Sequence, residues 1–408
     1  MQLHSVFGWG SAAVLVLLSA SMAWAGDGAP SLSPDRAVAL ALTANPDLGA
    51  ARAALSTAQA SRSASSIFLA NPSANAWITP NGDRAELNVS QPVSLTGEGW
   101  HARRGAAFTV DSAEASLGRT RRQLAGAVRG AYVDAVVASG VVGVAREGAD
   151  LAARLSFAVR RKHEEGEAST LSLRLARLNE VQAATRLLQA RRAEADALRR
   201  LSSLVLVPVA AEDLASDPLA ATPALAQAPP ERQRSDVSAA EASLEAARLN
   251  LRRSRAATMP AINVGVGASV EDGTTFIGPS LGVTLPIFNR NQVARAAALG
   301  SVDVAEGRLS SVRATAQTEQ ATSSARLKEA ETAAQSLAEF DLDEARAALA
   351  SIEAGVLAGE IDLSTAVLLQ TQVLAGEAAI VTLRGLLADA RIDRLLTLDD
   401  DALLGGAQ

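Results

Sequence analysis

A short motif occurs twice in this chain, and it constrains the fold more than any other feature. The two copies are Leu87-Asn-Val-Ser-Gln-Pro-Val-Ser94 and Leu281-Gly-Val-Thr-Leu-Pro-Ile-Phe288. They align as L-x-V-[ST]-x-P-[VI], with Pro92 opposite Pro286. In both copies a segment of period-two alternation leads into the proline, and a long proline-free segment follows. A repeat of this size indicates that the chain was built twice from one unit.

A second pair of landmarks recurs at almost the same separation. Gly166-Glu-Ala-Ser-Thr-Leu171 corresponds to Gly359-Glu-Ile-Asp-Leu-Ser364, 193 residues later, whereas the two prolines are 194 residues apart. Because two independent landmarks share nearly one offset, we expect two structural repeats, at residues 26–207 and 235–397.

The N-terminal segment has the pattern of a targeting sequence. An apolar run is centred on Val14-Leu-Val-Leu-Leu18, and Ala23-Trp-Ala25 has the small-x-small form of a cleavage site. We therefore predict a signal peptide at residues 1–25. A membrane anchor is the alternative, but the run is shorter than the ~20 residues that a spanning helix needs. We expect no other transmembrane helix, so a membrane segment would have to consist of strands.

Each repeat contains two candidate strands around a turn. In the first repeat they are residues 73–79 and 85–93, separated by Pro80-Asn-Gly-Asp83; in the second they are residues 261–270 and 277–287. Apolar side chains alternate with polar or small ones, most regularly in the last three of these strands. The alternation predicts two β-hairpins, each with one apolar face and one polar face.

The remainder of each repeat predicts a long helical hairpin, at about residues 100–204 and 291–396. Apolar positions recur at heptad spacing, and a glycine interrupts the pattern once in each hairpin, at Gly166 and Gly359. Glycine permits the positive φ that a helix reversal requires. An arm of about 60 helical residues would be roughly 90 Å long.

Two connecting segments lack this periodicity. Five prolines fall within residues 208–234, which we predict to be a linker between the repeats. Residues 398–408 carry three consecutive aspartates, and we predict a disordered acidic tail there. The predicted fold class is mainly α with a smaller β part.

Strands of about ten residues can cross a bilayer when they are tilted. Four strands cannot close a barrel, and open strand edges are not tolerated in lipid, so several chains would have to combine. Two chains would give eight strands, and three would give twelve, which leaves room for an aqueous lumen. Trp77, Trp100, Phe276 and Phe288 lie near the predicted strand ends, where they form either an aromatic girdle or ordinary core.

Composition offers little for catalysis. The net charge is -6, so no basic face for nucleic acid is predicted, and cysteine is absent. After removal of the signal peptide the histidines are His101 and His163, too few for a three-ligand catalytic zinc site. No phosphate-binding loop or nucleophile elbow is found. We predict no catalytic residues, no cofactor and no metal site, and hence that the protein is not an enzyme.

With both landmarks present in both repeats, residues 30–397 resemble the outer-membrane efflux protein (TolC-like) family. The Gly-Glu turns followed by a Leu-rich arm are most similar to its heavy-metal efflux (CzcC-like) branch. The resemblance implies a homotrimeric, twelve-stranded barrel in the lipid of the bacterial outer membrane, continued by an α-helical barrel in the periplasm. It also implies a passive conduit of a tripartite efflux system, which docks a periplasmic adaptor (membrane fusion) protein and serves an inner-membrane efflux pump.

The resemblance further implies a gate near the periplasmic tips, where some members carry aspartates after the second hairpin turn. In this chain the aligned positions hold Thr365 and Leu368. The nearest acids are Glu360 and Asp362, with Glu167 as the counterpart in the first repeat. These three are our candidates for a pore constriction; the alternative is that they are solvated acids at the tip.

The turn glycines Gly166 and Gly359 mark the hairpin tips, which are the candidate sites for adaptor docking. Pro92 and Pro286 are the candidate transitions from strand to helix. A soluble periplasmic coiled-coil adaptor or scaffold is the alternative function, because such proteins also use long helical hairpins. Two symmetrically placed hairpins favour the conduit.

Overall fold

A computed structural model describes most of the chain. The described residues are 32–65, 71–80, 84–94, 96–215, 217–223, 233–271, 273–285, 287–337, 342–358 and 360–405. The predicted signal peptide, Pro286 and Gly359 lie outside them.

Eight α-helices and four strands are described. The helices are α1 (Pro34–Ala44), α2 (Pro46–Ala64), α3 (Glu98–Glu164), α4 (Thr170–Val205), α5 (Ser235–Ala256), α6 (Gln292–Leu337), α7 (Leu342–Ala358) and α8 (Leu363–Thr397). The strands are β1 (Ser73–Ile78), β2 (Arg84–Val93), β3 (Ala261–Glu271) and β4 (Thr274–Thr284). Short 3₁₀ helices lie at Ala211–Asp213, Pro218–Ala221 and Asp401–Leu404.

The chain reaches the sheet through two short helices that break at Asn45-Pro46. Ser33 caps α1 by accepting a hydrogen bond from the backbone N–H of Arg36. Asn45 ends α1 and caps α2, because its side chain accepts from the N–H of Asp47 at 2.9 Å. Proline then occupies the first position of α2, where its missing N–H costs no hydrogen bond.

Helix α3 is the central element of the helical part. Its 67 residues span about 100 Å, and it packs against α4, α5 and α8. The second predicted long helix is described as α6 and α7, with residues 338–341 between them outside the description. Two of the helices, α3 and α8, contain stretches apolar enough to cross a membrane by length and composition alone. The expectation that no such stretch exists is therefore wrong. Helix α3 is, however, much longer than a bilayer is thick.

The main buried cluster lies near the middle of α3, and we call it the equatorial core. Side chains from α1, α3, α4 and α8 meet there around Tyr132, which is fully buried. The Tyr132 hydroxyl donates to the carbonyl of Leu32 and accepts from the N–H of Ala215, both at 2.8 Å. The predicted linker is therefore not a free connection, because Ala221 is also fully buried in this core.

The predicted disordered tail is wrong for residues 398–405; residues 406–408 lie outside the description. Asp399 and Leu403 are fully buried. Arg122 donates from Nε to Asp401 at 2.9 Å, and Arg129 donates from Nε to the carbonyl of Leu403 at 2.9 Å. From the sequence alone these aspartates are expected to be solvated, because the buried arginine that pairs with them, Arg122, lies far away in the chain.

One strand boundary also differs from the prediction. Strand β4 spans 274–284 rather than 277–287, because Glu271 pairs directly with Thr274. This pairing leaves a tight turn in which Gly273 has a φ of 75°. A glycine supplies that conformation without steric cost.

Candidate functional site: an amphipathic sheet and paired hairpin tips

The four strands form one antiparallel sheet in the order β1-β2-β3-β4. Each predicted hairpin is present, and the two are joined by the pairing of β2 with β3 from Arg84↔Glu271 to Val93↔Ile262. Within the described part of the chain, β1 and β4 each pair on one side only. Their free edges are unpaired rows of backbone N–H and C=O groups.

In two adjacent rows the register places like side chains side by side across all four strands. One row contains only apolar residues, namely Ala76, Leu87, Ala268 and Ile277. The next row contains only amides and glycines, namely Asn75, Asn88, Gly267 and Gly278. Directly opposed residues share a face of the sheet, and successive rows alternate between faces. The alternation seen in single strands is thus a property of the whole sheet.

Hydrogen bonds between side chains cross the polar face. Ser280 donates to the amide oxygen of Asn88 at 3.0 Å, and the Asn263 amide donates to the Thr284 hydroxyl at 3.2 Å. Gly265 lies on this face where the backbones approach closely. A Cβ there would be 2.3 Å from the carbonyl oxygen of Val89, so only glycine fits.

The apolar face has no cover within the described chain. Its large exposed side chains include Leu87, Val89, Val266, Ile277, Leu281 and Val283. Ile277 and Leu281 are each 75% exposed. A contiguous apolar patch of this kind marks an interaction surface, and an apolar sheet face opposite a polar one suits lipid on one side and water on the other.

The four candidate girdle aromatics lie at the two ends of the sheet. Trp77 and Phe276 are at the turn end, whereas Trp100 and Phe288 follow the opposite ends of β2 and β4. All four are more than half exposed, and Phe288 is 93% exposed. Such exposure does not fit filling of the chain's own core. Trp77 and Phe276 share a row with Glu86 and Ser269 on the polar face, however, so this pair does not fit a girdle that faces lipid.

Pro92, one of the two candidate strand-to-helix transitions, lies within the last residues of β2, where it pairs with Asn263 of β3. The β1 pairing reaches only Ser90, so Pro92 has a strand on one side and its missing N–H removes no hydrogen bond between β1 and β2. Helix α3 begins six residues later, at Glu98.

At the far end, α3 reverses into α4 through a glycine turn. Gly166 has a φ of 84°, its N–H donates to the carbonyl of His163, and the N–H of Glu167 donates to that of Lys162 at 2.7 Å. This pair of bonds is a Schellman motif, which satisfies carbonyls at the helix end. Ser169 then caps α4 by accepting from the N–H of Ser172 at 3.0 Å.

The turn between α7 and α8 repeats this bonding at the predicted offset. The N–H of Glu360 donates to the carbonyl of Gly355 at 2.9 Å, five residues back, as Glu167 does to Lys162. Asp362 caps α8, accepting from the N–H of Ser364 at 3.0 Å and from the Ser364 hydroxyl. These bonds hold the pKa of Asp362 below its usual value, the hydroxyl contributing most. Sequence reasoning missed this cap, although aspartate after a turn glycine is its signal.

The two tips pack against each other, so the structure brings the candidate acids to one end of the molecule. Val159, Ala176 and Leu363 form a buried cluster between them, and the Lys162 ammonium donates to the carbonyl of Val356 at 3.2 Å. Glu167, Glu360 and Asp362 are all exposed there.

One titratable group that sequence reasoning missed lies on α8. Burial raises the pKa of Asp389 to about 7, and repulsion from the carboxylates of Asp134 and Asp393 adds to the shift. The sequence carried a partial signal, because Asp389 and Asp393 are like charges one helical turn apart. No cluster of three or more metal-ligating side chains is found within the described ranges.

Comparison with known proteins identifies the architecture. Residues 231–396 match the family model described as "Outer membrane efflux protein". No curated protein matches the chain in sequence. Among solved structures, the outer-membrane channel OprN matches with a TM-score of 0.73 and 18% identity, covering 91% of this chain and 90% of that one.

Two further outer-membrane proteins have comparable TM-scores. The outer membrane protein VceC from Vibrio cholerae has a TM-score of 0.70 at 16% identity, covering 92% of this chain and 97% of its own. The MtrE outer membrane channel of Neisseria gonorrhoeae has a TM-score of 0.68 at 20% identity, covering 93% of this chain and 91% of its own. At sequence identities this low, the similarity establishes the fold alone.

The matching family model, over residues 231–396, bears on class and location. Outer membrane efflux proteins are passive channels and not enzymes, and they span the outer membrane and the periplasm. This favours the conduit over the soluble adaptor or scaffold. Residues 231–396 therefore match the outer membrane efflux protein model, and the chain has, over about nine-tenths of its length, the fold of the TolC-like outer-membrane channels.

Proposed function

We propose that three copies of this chain assemble into one passive conduit, which carries substrates from a periplasmic adaptor and an inner-membrane pump across the outer membrane. Each copy contributes four strands to a twelve-stranded barrel and its helices to a tube in the periplasm.

The observation that carries the proposal is the open, amphipathic sheet. Its two edges are unpaired in the described chain, its apolar face is uncovered, and lipid does not tolerate open strand edges. Because the number of strands per chain is even, β4 of one copy would lie antiparallel to β1 of the next, so the alternation continues around a closed barrel. Twelve strands leave a lumen, which the polar face of the sheet would line.

The helices support the same assembly. Helices α3 and α8 lie side by side in the middle of the molecule, with α4 packed mainly on α3 and α6 on α5 and α8. On α4, Leu171, Leu178, Val181 and Leu188 are exposed at heptad spacing, and α6 exposes Val293 and Val304. Heptad seams are built to pack against another helix. In a ring of three copies, α4 of one copy would meet α6 and α7 of its neighbour.

The matching turn geometry supports the division into two repeats, residues 26–207 and 235–397. Glu167 and Glu360 make the same backbone bond, and Ser169 and Asp362 each cap the helix that follows, at one offset of 193 residues. We place adaptor docking at the paired tips around Gly166 and Gly359, because they are the part of the molecule farthest from the strands.

The three tip acids, repeated around a threefold axis, would form an acidic ring that favours cations. The Gly-Glu turns are the feature that favours the heavy-metal branch, with metal cations as the cargo. A cap that holds Asp362 ionised keeps this charge in place as the pH falls.

Native mass spectrometry and planar-bilayer recording test the proposal. The purified protein should have three times the mass of the chain and should conduct ions; a monomer without conductance would refute it. Asp362→Asn retains the cap geometry but removes the charge, so it should raise conductance or relieve block by divalent cations. Asp196→Asn, on the exposed surface of α4, is the matched control. Identical currents for both variants, with and without divalent cations, would exclude the acidic ring but leave the proposed conduit standing.

A further inference from the structure

The segments next to the helix end of the sheet have a charge opposite to that of the chain. The chain as a whole has a net charge of -6. Yet residues 58–65, 96–109, 249–262 and 284–297 together contain eight arginines, with Glu98 as their one acidic residue. We call these arginines the basal belt: Arg62, Arg103, Arg104, Arg252, Arg253, Arg255, Arg290 and Arg295.

The basal belt occupies one level of the molecule. Its members lie near the end of α2, the start of α3, the end of α5 and the start of α6, each within roughly 10 Å of the nearer helix end at 1.5 Å per residue. All eight are exposed. Arg253 approaches Glu98 at 3.5 Å, and the Arg104 guanidinium lies 5.1 Å from the centre of the Trp100 ring. The belt therefore presents a surplus of positive charge to its surroundings.

A band of exposed apolar side chains lies between the belt and the sheet. Met259, Leu285, Ile287 and Phe288 are all more than half exposed. Apolar and aromatic side chains followed by arginines are the order expected at a membrane interface, where the first group enters the acyl region and the second meets the headgroups.

A cleft within the belt has a polar group without a partner. It has a volume of about 390 Å³ and lies between α2, α3 and α5, with Ser65, His101, Asn250 and Arg253 in its wall. The Nδ1 atom of His101 is buried and has no hydrogen-bond partner within the described residues. A second polar cleft, of about 470 Å³, shares Asn250 and Arg253. A guanidinium beside amide, hydroxyl and imidazole groups suits the oxygens of a phosphodiester.

We propose that the basal belt binds anionic phospholipids of the leaflet that faces the periplasm, with the cleft at His101 and Arg253 holding a headgroup phosphate. The inference rests on the proposed conduit, which puts the helices on the periplasmic side. The lipid class is one with a net negative headgroup, such as phosphatidylglycerol. Each arginine near an anionic surface contributes about fivefold in binding, because ~1 kcal/mol corresponds to that factor.

Lipid retention by the intact channel tests the inference. The protein is equilibrated in nanodiscs with equal phosphatidylglycerol and phosphatidylcholine, and the lipids that remain bound are counted by native mass spectrometry. Wild type should retain phosphatidylglycerol preferentially, and the preference should weaken as salt shortens the Debye length. The belt variant Arg103→Gln/Arg252→Gln/Arg255→Gln should lose the preference, by at least tenfold in relative retention.

The matched control is Arg177→Gln/Arg191→Gln/Arg192→Gln, which removes the same charge from exposed positions of α4. The control should retain phosphatidylglycerol as wild type does. His101→Phe, which removes the unpartnered imidazole, should reduce the number of phosphatidylglycerol molecules that stay bound. Wild type without preference, or a belt variant that keeps it, would overturn the inference. Trimer mass and conductance, measured on the same samples, report separately on the proposed conduit.

Discussion

Arg129 is the side chain whose removal should most weaken the equatorial core. The residue is 2% exposed, and its guanidinium joins three parts of the chain that are far apart in sequence. It donates to the carbonyls of Leu403 at 2.9 Å and Ala221 at 2.8 Å, and it pairs with Asp35 of α1. The perturbation is Arg129→Met, which keeps much of the volume and removes every donor.

The expected loss of stability follows from the hydrogen bonds that the substitution removes. A hydrogen bond from a charged donor contributes about 1.5–3 kcal/mol, so the two buried carbonyls account for about 3–6 kcal/mol. Asp35 adds little, because its side chain is 66% exposed and an exposed pair contributes about 0–1 kcal/mol. We therefore expect a loss of about 3–5 kcal/mol at this site, the range typical for breaking one side of a buried ionic contact.

Hydrogen exchange measures this loss where it occurs. A decrease of about 3 kcal/mol in local opening free energy should speed amide exchange more than a hundredfold in residues 219–222 and 401–405. The control Arg200→Met removes an arginine whose side chain is 70% exposed and lies 3.9 Å from Asp134, and it should change exchange little. Equal protection in the two variants would refute the reasoning and show that Arg129 does not hold these two segments.

Three further predictions concern single positions. Gly166→Ala should destabilise the protein by about 1–2 kcal/mol, because alanine at a φ of 84° is strained. Gly300→Ala, in open space within α6, should stabilise it by up to ~1 kcal/mol. Melting temperatures that shift in the same direction for both variants would contradict this. Gly385→Ala should loosen the contact of α3 with α8, since its Cβ would lie 2.4 Å from a Val137 methyl, and Val137→Ala should restore the melting temperature; absence of rescue would be contrary evidence. Asp389 has a pKa of about 7 in the folded protein and an ordinary value of ~4 when unfolded, so the folded state should lose stability as the pH rises between those values. Asp389→Asn should abolish that trend. A pH dependence of the melting temperature that is unchanged in the variant would refute the assignment.

The sheet could be predicted from sequence because the pattern that defines each strand lies within a few consecutive residues. Period-two alternation defines a strand face by itself, and the structure aligns Leu87 with Ala268 and Ile277 in one row without contradicting any single-strand pattern. The tip turns were equally accessible, because the glycine and the capping residue that follows it are adjacent in the chain. The start of β4 was missed because a two-residue turn extends the pairing farther than the turn residues suggested.

The equatorial core could not be predicted in the same way. Arg122 bonds to Asp401, 279 residues later, and nothing near either residue indicates the other. Read alone, Asp399-Asp-Asp401 is a run of charge that favours solvent, but buried arginines on α3 reverse that preference. Asp389 shows the same limit, since burial dominates its raised pKa and depends on which helix covers it.

The central claim is that three copies close the sheet, and disulfide cross-linking tests it most directly. The chain contains no cysteine, so Ala76→Cys on β1 and Ile277→Cys on β4 provide the only thiols. Both lie in one row at opposite edges of the four-stranded sheet, about 14 Å apart at the usual strand spacing, too far for a disulfide within one chain. Thr275→Cys and Pro279→Cys, two residues to either side on the same face, allow for stagger in the closed barrel.

For at least one of these pairs, oxidation in the outer membrane should produce covalent dimers and trimers, and no larger species. Ala76→Cys alone should remain monomeric on a denaturing gel. The account would be contradicted if none of the pairs cross-links in a chain that conducts ions, or if the ladder stops at the dimer.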